Sequence, residues 1–112
     1  MEVEKEVKDN WMFYVAGVQH HRLHKCIMDL EVGKSLSLVL EPTNTFDKNA
    51  VQVVHSNMAG DIYQLGYVPK KSSKEIHDCL VRPGKITTCT ITRLEPDEKP
   101  WMQLQVIVRR EG

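Results

Sequence analysis

The chain has 112 residues, 41% of them hydrophobic, which is enough for one domain with a core of its own. Its 15 basic and 15 acidic side chains balance, so no global field draws it to nucleic acid or to a membrane, and any polyanion binding has to come from a local cluster. No apolar run approaches transmembrane length, the charged opening lacks the apolar core of a signal peptide, and three widely spaced cysteines, Cys26, Cys79 and Cys89, do not suit a disulfide framework.

An intracellular, reducing compartment is therefore expected: nuclear in a eukaryote, cytoplasmic in a bacterium. Residues 1–10 alternate acidic and basic side chains without apolar support and are expected to be a flexible N-terminal segment, with the domain proper at 11–112. Met12 to Val18 is aromatic and β-branched, a predicted first strand in which Gly17 suggests a bulge or a close backbone approach. In Gln19 to Leu30, Leu23, Ile27 and Leu30 would share a helical face, giving a short helix or an irregular crossing. Gly33 marks the bend that follows.

Leu36, Leu38 and Leu40 then recur at every second position, and Ala50 to Val54 is β-branched, so two strands are predicted. The loop between them is longer than a turn that merely reverses the chain, and it holds the turn formers Pro42, Asn44, Asp47 and Asn49. Loops held rigid between strands are where binding residues concentrate. Ile62 to Val68 is the next strand, ended by Pro69, which cannot donate to a ladder. Ser72 with Glu75 fits a capping box for a helix over Lys74 to Val81, whose Ile76, Cys79 and Leu80 make one apolar stripe. Arg82, Pro83 and Gly84 stop it. Lys85 to Leu94 is a Thr- and Ile-rich strand, and Trp101 to Arg109 closes the pattern with Leu104, Val106 and Val108 on one face. About six short strands with one or two short helices predict a mostly-β fold, a small antiparallel barrel.

Chemistry is sparse. Single-strand binding needs aromatic faces and a basic track, and each stacked base contributes about 1–3 kcal/mol. Phe46, His20 and Tyr67 offer faces; His20, His21, Arg22, His24, Lys25, Lys70, Lys71 and Lys74 offer the track. Each has a plainer reading as well. Phe46 would serve as a plug for the barrel end, Asp47 and Asn49 as Asx-turn residues, Tyr67 as an ordinary strand residue, and the lysines as the solvated start of a helix. The His20, His24, Cys26 cluster invites zinc, but no fourth ligand completes a structural site. No complete Gly-x-x-x-x-Gly-Lys-Ser/Thr phosphate loop and no nucleophile–base pair is present, so the expectation is a non-enzymatic chain without metal or cofactor.

Val15-Ala-Gly-Val18, the run Leu38-Val-Leu-Glu-Pro-Thr-Asn-Thr-Phe-Asp-Lys-Asn-Ala-Val-Gln-Val53, and Leu65-Gly-Tyr-Val-Pro69 together resemble the HIRAN domain, in order and in spacing, from about Phe13 to Arg109. The resemblance implies an OB-like barrel, acting as a monomer, that binds single-stranded DNA at a free 3′-hydroxyl end in repair or replication-fork work. It also implies a fused or separate SNF2-type ATPase or nuclease as partner. By the same resemblance Asp47 accepts the 3′-hydroxyl, Phe46 and Tyr67 stand at pocket positions, Lys70 meets a phosphate, and Gln19 and His20 replace an Arg-Tyr pair. Such a carboxylate would repel a 3′-phosphate, giving a preference for the hydroxyl end. The alternative is a protein-interaction barrel that recruits a separate nucleic-acid enzyme.

Overall fold

In the computed structural model, which describes residues 10–82 and 86–111, six strands form one antiparallel sheet. They are β1 (Asn10–Tyr14), β2 (Ser35–Leu40), β3 (Val51–Ser56), β4 (Ile62–Tyr67), β5 (Ile86–Leu94) and β6 (Leu104–Glu111), in the spatial order β1-β6-β5-β2-β3-β4. The alternation read in the sequence sets which face is buried. Leu104, Val106 and Val108 are fully buried, and Val51, Val53, Leu65 and Ile91 join them. Burial of each such side chain contributes about 1.5–3 kcal/mol.

The sheet curls until its edges meet. The Ala16 amide donates to the Tyr67 carbonyl at 2.8 Å and the Tyr67 amide to the Ala16 carbonyl at 2.9 Å, so the chain just past β1 bridges the end of β4. Gly66 makes that contact possible, because a Cβ there would lie 2.3 Å from the Ala16 carbonyl oxygen. On the other side β2 pairs with β5 only at Ser35 and Leu36 and continues against β3 from Ser37 to Leu40. The result is the expected mostly-β half-barrel of OB-like form. One helix, α2 (Lys70–Val81), contributes Ile76 and Cys79 to its core.

The structure refines or corrects the sequence pattern in four places. The stretch from Val18 to Asp29 is the expected short helix within an irregular crossing: a single turn of α-helix, α1 (Leu23–Cys26), sits between 3-10 turns at Val18–His20 and Ile27–Asp29. Leu23 and Cys26 are buried, but Ile27 is only partly covered, so the apolar stripe is too short to propagate a longer helix. Gly17 lies just beyond β1 at φ 73°, where it turns the chain rather than bulging the strand. Helix α2 begins at Lys70, with Pro69 as its N-cap and no side-chain cap; Ser72 is inside the first turn, so the predicted capping box is not formed. The fixed φ of Pro69 starts the helix earlier, and its carbonyl accepts from the Ser72 amide at 2.9 Å. Asn10 is the first residue of β1, paired with Arg109, and not part of a flexible segment. Residues 1–9 and the predicted stop at Pro83 and Gly84 lie outside the described residues. All three cysteines are free and buried. No helix among the described residues is long and apolar enough to cross a membrane.

Candidate functional site

The β2–β3 loop is held by its own polar side chains. The Asn44 Oδ1 accepts the amides of Phe46 at 2.8 Å and Asp47 at 2.9 Å, and the Asp47 Oδ1 accepts the Asn49 amide at 2.9 Å. Backbone bonds from the Glu41 amide to the Ala50 carbonyl and from the Ala50 amide to the Asp47 carbonyl close the loop base. With the Asn44 and Asp47 side chains turned to backbone work, the ring of Phe46 points outward and is 91% exposed. The reading of Phe46 as a barrel plug is thereby excluded. An exposed phenyl ring forgoes about 1.5–3 kcal/mol of burial, which leaves it available to a ligand.

Beneath the loop, Glu41 gathers three donors. Its carboxylate accepts from the Asn44 amide nitrogen at 2.8 Å, from the Tyr67 hydroxyl at 2.9 Å, and from the Gln52 side chain. Burial, together with the bond to Glu41, pushes the Tyr67 phenol above its ordinary pKa, so the hydroxyl stays protonated and donating. The edge of the His21 ring meets the Tyr67 ring, with centroids 5.5 Å apart. Burial, and then the charge of neighbouring His20, holds His21 below the usual histidine value, so it is neutral at pH 7.

Asp47 is fixed from two directions. Besides the Asn49 amide on one oxygen, the Ser73 hydroxyl of α2 donates to its Oδ2 at 2.9 Å. Those two bonds hold the carboxyl below the usual carboxylate range, so it is ionised at neutral pH. Each oxygen keeps further acceptor capacity, because a carboxylate offers about four lone-pair sites.

Phe46, Asp47, Tyr67 and Lys70 line one open cleft of about 240 Å³, with Ala16, Asn44, Ala50 and Val68 as its remaining wall. That is below the roughly 300–1,000 Å³ of a drug-sized pocket and suits one planar group with its attached ring. Four of the six candidate residues are therefore brought together from three elements. The other two, Gln19 and His20, are exposed on the 3-10 turn at Val18–His20 and do not line the cleft; His21, the next residue, reaches Tyr67 instead. The zinc pattern does not assemble, since Cys26 is buried with its thiol toward the Leu23 carbonyl while His20 and His24 are exposed. Among the described residues no group of three metal-ligating side chains comes together.

Two participants, Glu41 and Ser73, carry no role in the sequence pattern, and Trp101 outside the cleft is a further exposed aromatic. Glu41 sits in the Phe46 motif without a distinguishing pattern of its own, Ser73 is buried at the start of α2, and Trp101 precedes β6 instead of starting it. Trp101 is exposed on the 3-10 turn Pro100–Met102, which packs against the Val18–His20 turn, and the Lys99 ammonium lies 5.7 Å over its ring.

Known proteins share part of this sequence and this fold. The chain is 39% identical over 54 residues to a Fanconi-associated nuclease 1 homolog of Arabidopsis thaliana, a match that covers 48% of this chain and 5% of that protein. Its fold is similar to a crystal structure of a protein from Lactobacillus plantarum, with a TM-score of 0.68, 22% identity and 94% of both chains covered. It is also similar to the HIRAN domain of human HLTF, with a TM-score of 0.60, 14% identity, and 91% of this chain and 73% of that one covered. The family model for the HIRAN domain matches residues 10–109. With nearly the whole described chain inside that match, the protein belongs to the HIRAN domain family.

Proposed function

We propose that the protein is a non-enzymatic module that binds single-stranded DNA, preferentially at a free 3′-hydroxyl end. The observation that carries this reading is the pairing, in one small cleft, of an exposed Phe46 ring with the ionised carboxylate of Asp47. A terminal base stacks on Phe46, and the last sugar donates its hydroxyl to Asp47 in a charge-assisted bond. Lys70, exposed at the cleft rim, meets the phosphate on the 5′ side of that sugar. A 3′-phosphate or a continuing strand would bring negative charge against Asp47, so the hydroxyl end is favoured twice over.

Gln19 and His20, exposed on the Val18–His20 turn, supply flanking contacts in this reading. Membership of the HIRAN family supports the reading, and the plant relative's name supports work beside a nuclease; an SNF2-type ATPase partner and a repair or replication-fork setting belong to the same proposal. The test is a titration with one labelled sequence bearing a 3′-hydroxyl, bearing a 3′-phosphate, or closed as a circle. Tighter binding of the hydroxyl form is expected. Equal affinity for all three overturns end capture, and no binding of any leaves recruitment of a separate nucleic-acid enzyme as the function.

A further inference from the structure

We infer that the end of the half-barrel opposite the cleft is a docking surface for a partner protein, taking a segment that carries one arginine between apolar side chains. This inference stands apart from the single-strand reading. The cleft lies where β3 begins, with Ala50 in its wall, and a second depression lies where the same strand ends. Asp29, Lys34, His55, Asn57 and Met58 are among the walls of this second depression, whose volume is about 500 Å³. From Ala50 to His55 the chain covers about 17 Å at roughly 3.4 Å per residue, so one molecule has room for a ligand at each end.

The surroundings are apolar. Of the ten large hydrophobic side chains exposed among the described residues, four adjoin this depression. Met58 lines it, Met28 precedes Asp29, Val32 is on the turn that leads to Lys34, and Ile62 pairs with Ser56 across β3 and β4. Single exposed side chains are ordinary, but four around one hollow mark a contact surface, and unbranched methionines adapt to an apolar partner. Charge then selects the partner. Asp29 is half-exposed and accepts no hydrogen bond among the described residues; the His55 Nε2 lies 3.8 Å from its Oδ2, beyond hydrogen-bond reach. His55 itself is buried and stacked on Tyr63, so it forms a fixed floor under that carboxylate. Glu31 and Asp61 are exposed nearby, Asp61 tied to the wall by the Asn57 amide nitrogen at 3.1 Å, and Lys34 is the only lysine or arginine in the wall. Three carboxylates against one ammonium repel a phosphate chain. In a symmetric pair of copies the same carboxylates would face one another, which disfavours self-association. An arginine from another protein answers both features: its aliphatic stem lies along Met58 and Ala59, and its guanidinium donates to Asp29.

The experiment titrates the full chain with a blocked, labelled peptide that has one arginine flanked by leucines, beside twins with citrulline or glutamate in its place. The arginine peptide should bind most tightly and shift the methyl resonances of Met28 and Met58, leaving the Phe46 ring unmoved. Asp29→Asn keeps the shape of that side chain and should weaken the arginine peptide about two- to fivefold, as for one half-exposed ion pair. Citrulline should cost wild type the same and add nothing in Asp29→Asn. Met58→Gln should weaken all three peptides, and a saturating 3′-hydroxyl oligothymidylate should leave their affinities unchanged. Equal binding of the three peptides, or no binding of any, overturns the docking surface, as do shifts centred on Phe46. Displacement of the peptide by the oligonucleotide overturns it too, by putting both ligands on one face. So does concentration-dependent self-association that Met58→Gln abolishes, which would give this end to a second copy. If the arginine peptide binds as expected while wild type ignores the chemistry of a 3′ end, end capture falls and the docking surface stands.

Discussion

The Ser73 hydroxyl donates to the Asp47 Oδ2 at 2.9 Å, which fastens the first turn of α2 to the β2–β3 loop across 26 residues of chain. Ser73 is buried and its hydroxyl also lies 3.1 Å from the Lys70 carbonyl, so the bond sets both the direction of the carboxylate and the seat of the helix beside it. Ser73→Ala removes the donor at almost no cost in volume. A stability loss of about 1 kcal/mol is expected, that of one partly buried hydrogen bond to a charged group after solvent screening. The Asp47 carboxyl should move back toward its ordinary value, followed by carboxyl NMR titration. An unchanged titration would mean that the Asn49 amide alone sets the ionisation.

Phe46 separates binding from folding. With 91% of the residue exposed, its removal takes nothing from the core, and Phe46→Ala should change stability by no more than about 0.5 kcal/mol. The same substitution removes a stacking face and should weaken single-strand binding by about 1–3 kcal/mol, with little dependence on base. Denaturation and binding titrations on one preparation decide it. A large loss of stability would mean that the ring packs on the protein in solution.

The unequal legibility of fold and site has a physical cause. Strand alternation is a local signal, and it correctly placed Leu104, Val106 and Val108 inward and the two strands around the Phe46 loop. The Asx-turn role of Asn44 and Asp47 was legible too, because those bonds span two or three residues. Ser73 to Asp47 and Tyr67 to Glu41 each join residues 26 apart, and no local pattern encodes such a meeting. Gln19 and His20 were placed by family correspondence, and the handedness of the turn after Gly17 puts His21 rather than either of them against Tyr67. At the start of α2, Ser72 and Glu75 imitate a capping box, whereas Pro69 already fixes the backbone earlier than the pattern implies.

Gly66 tests the closure of the half-barrel. Its missing Cβ would stand 2.3 Å from the Ala16 carbonyl oxygen and 2.7 Å from Val15, so Gly66→Ala forces apart the only bridge between β1's extension and β4 among the described residues. A loss of roughly 1–3 kcal/mol or more is expected from overpacking. Because Tyr67 is the bridge partner, the cleft should suffer with it. Thermal denaturation and a 3′-end binding titration should fall together. Full stability in Gly66→Ala would show that the bridge contributes little.

Asp47→Asn joins the chemistry of the end to the pH dependence of the fold. Asparagine keeps an oxygen for the Asn49 amide and removes the charge, so the loop is expected to persist. The variant should lose most of its preference for a 3′-hydroxyl over a 3′-phosphate, chiefly because the phosphate form no longer meets a carboxylate. The acid limb should change as well. The folded carboxyl lies below the unfolded value of about 3.9, so its bonds stabilise the fold fully above that value and fade as pH falls through the lower, folded one. Wild type should therefore lose stability more steeply than Asp47→Asn below about pH 4, and the two should run parallel between pH 5 and 8. Parallel curves at every pH, together with unaltered end preference, would mean that the Asp47 charge serves neither the fold nor the ligand.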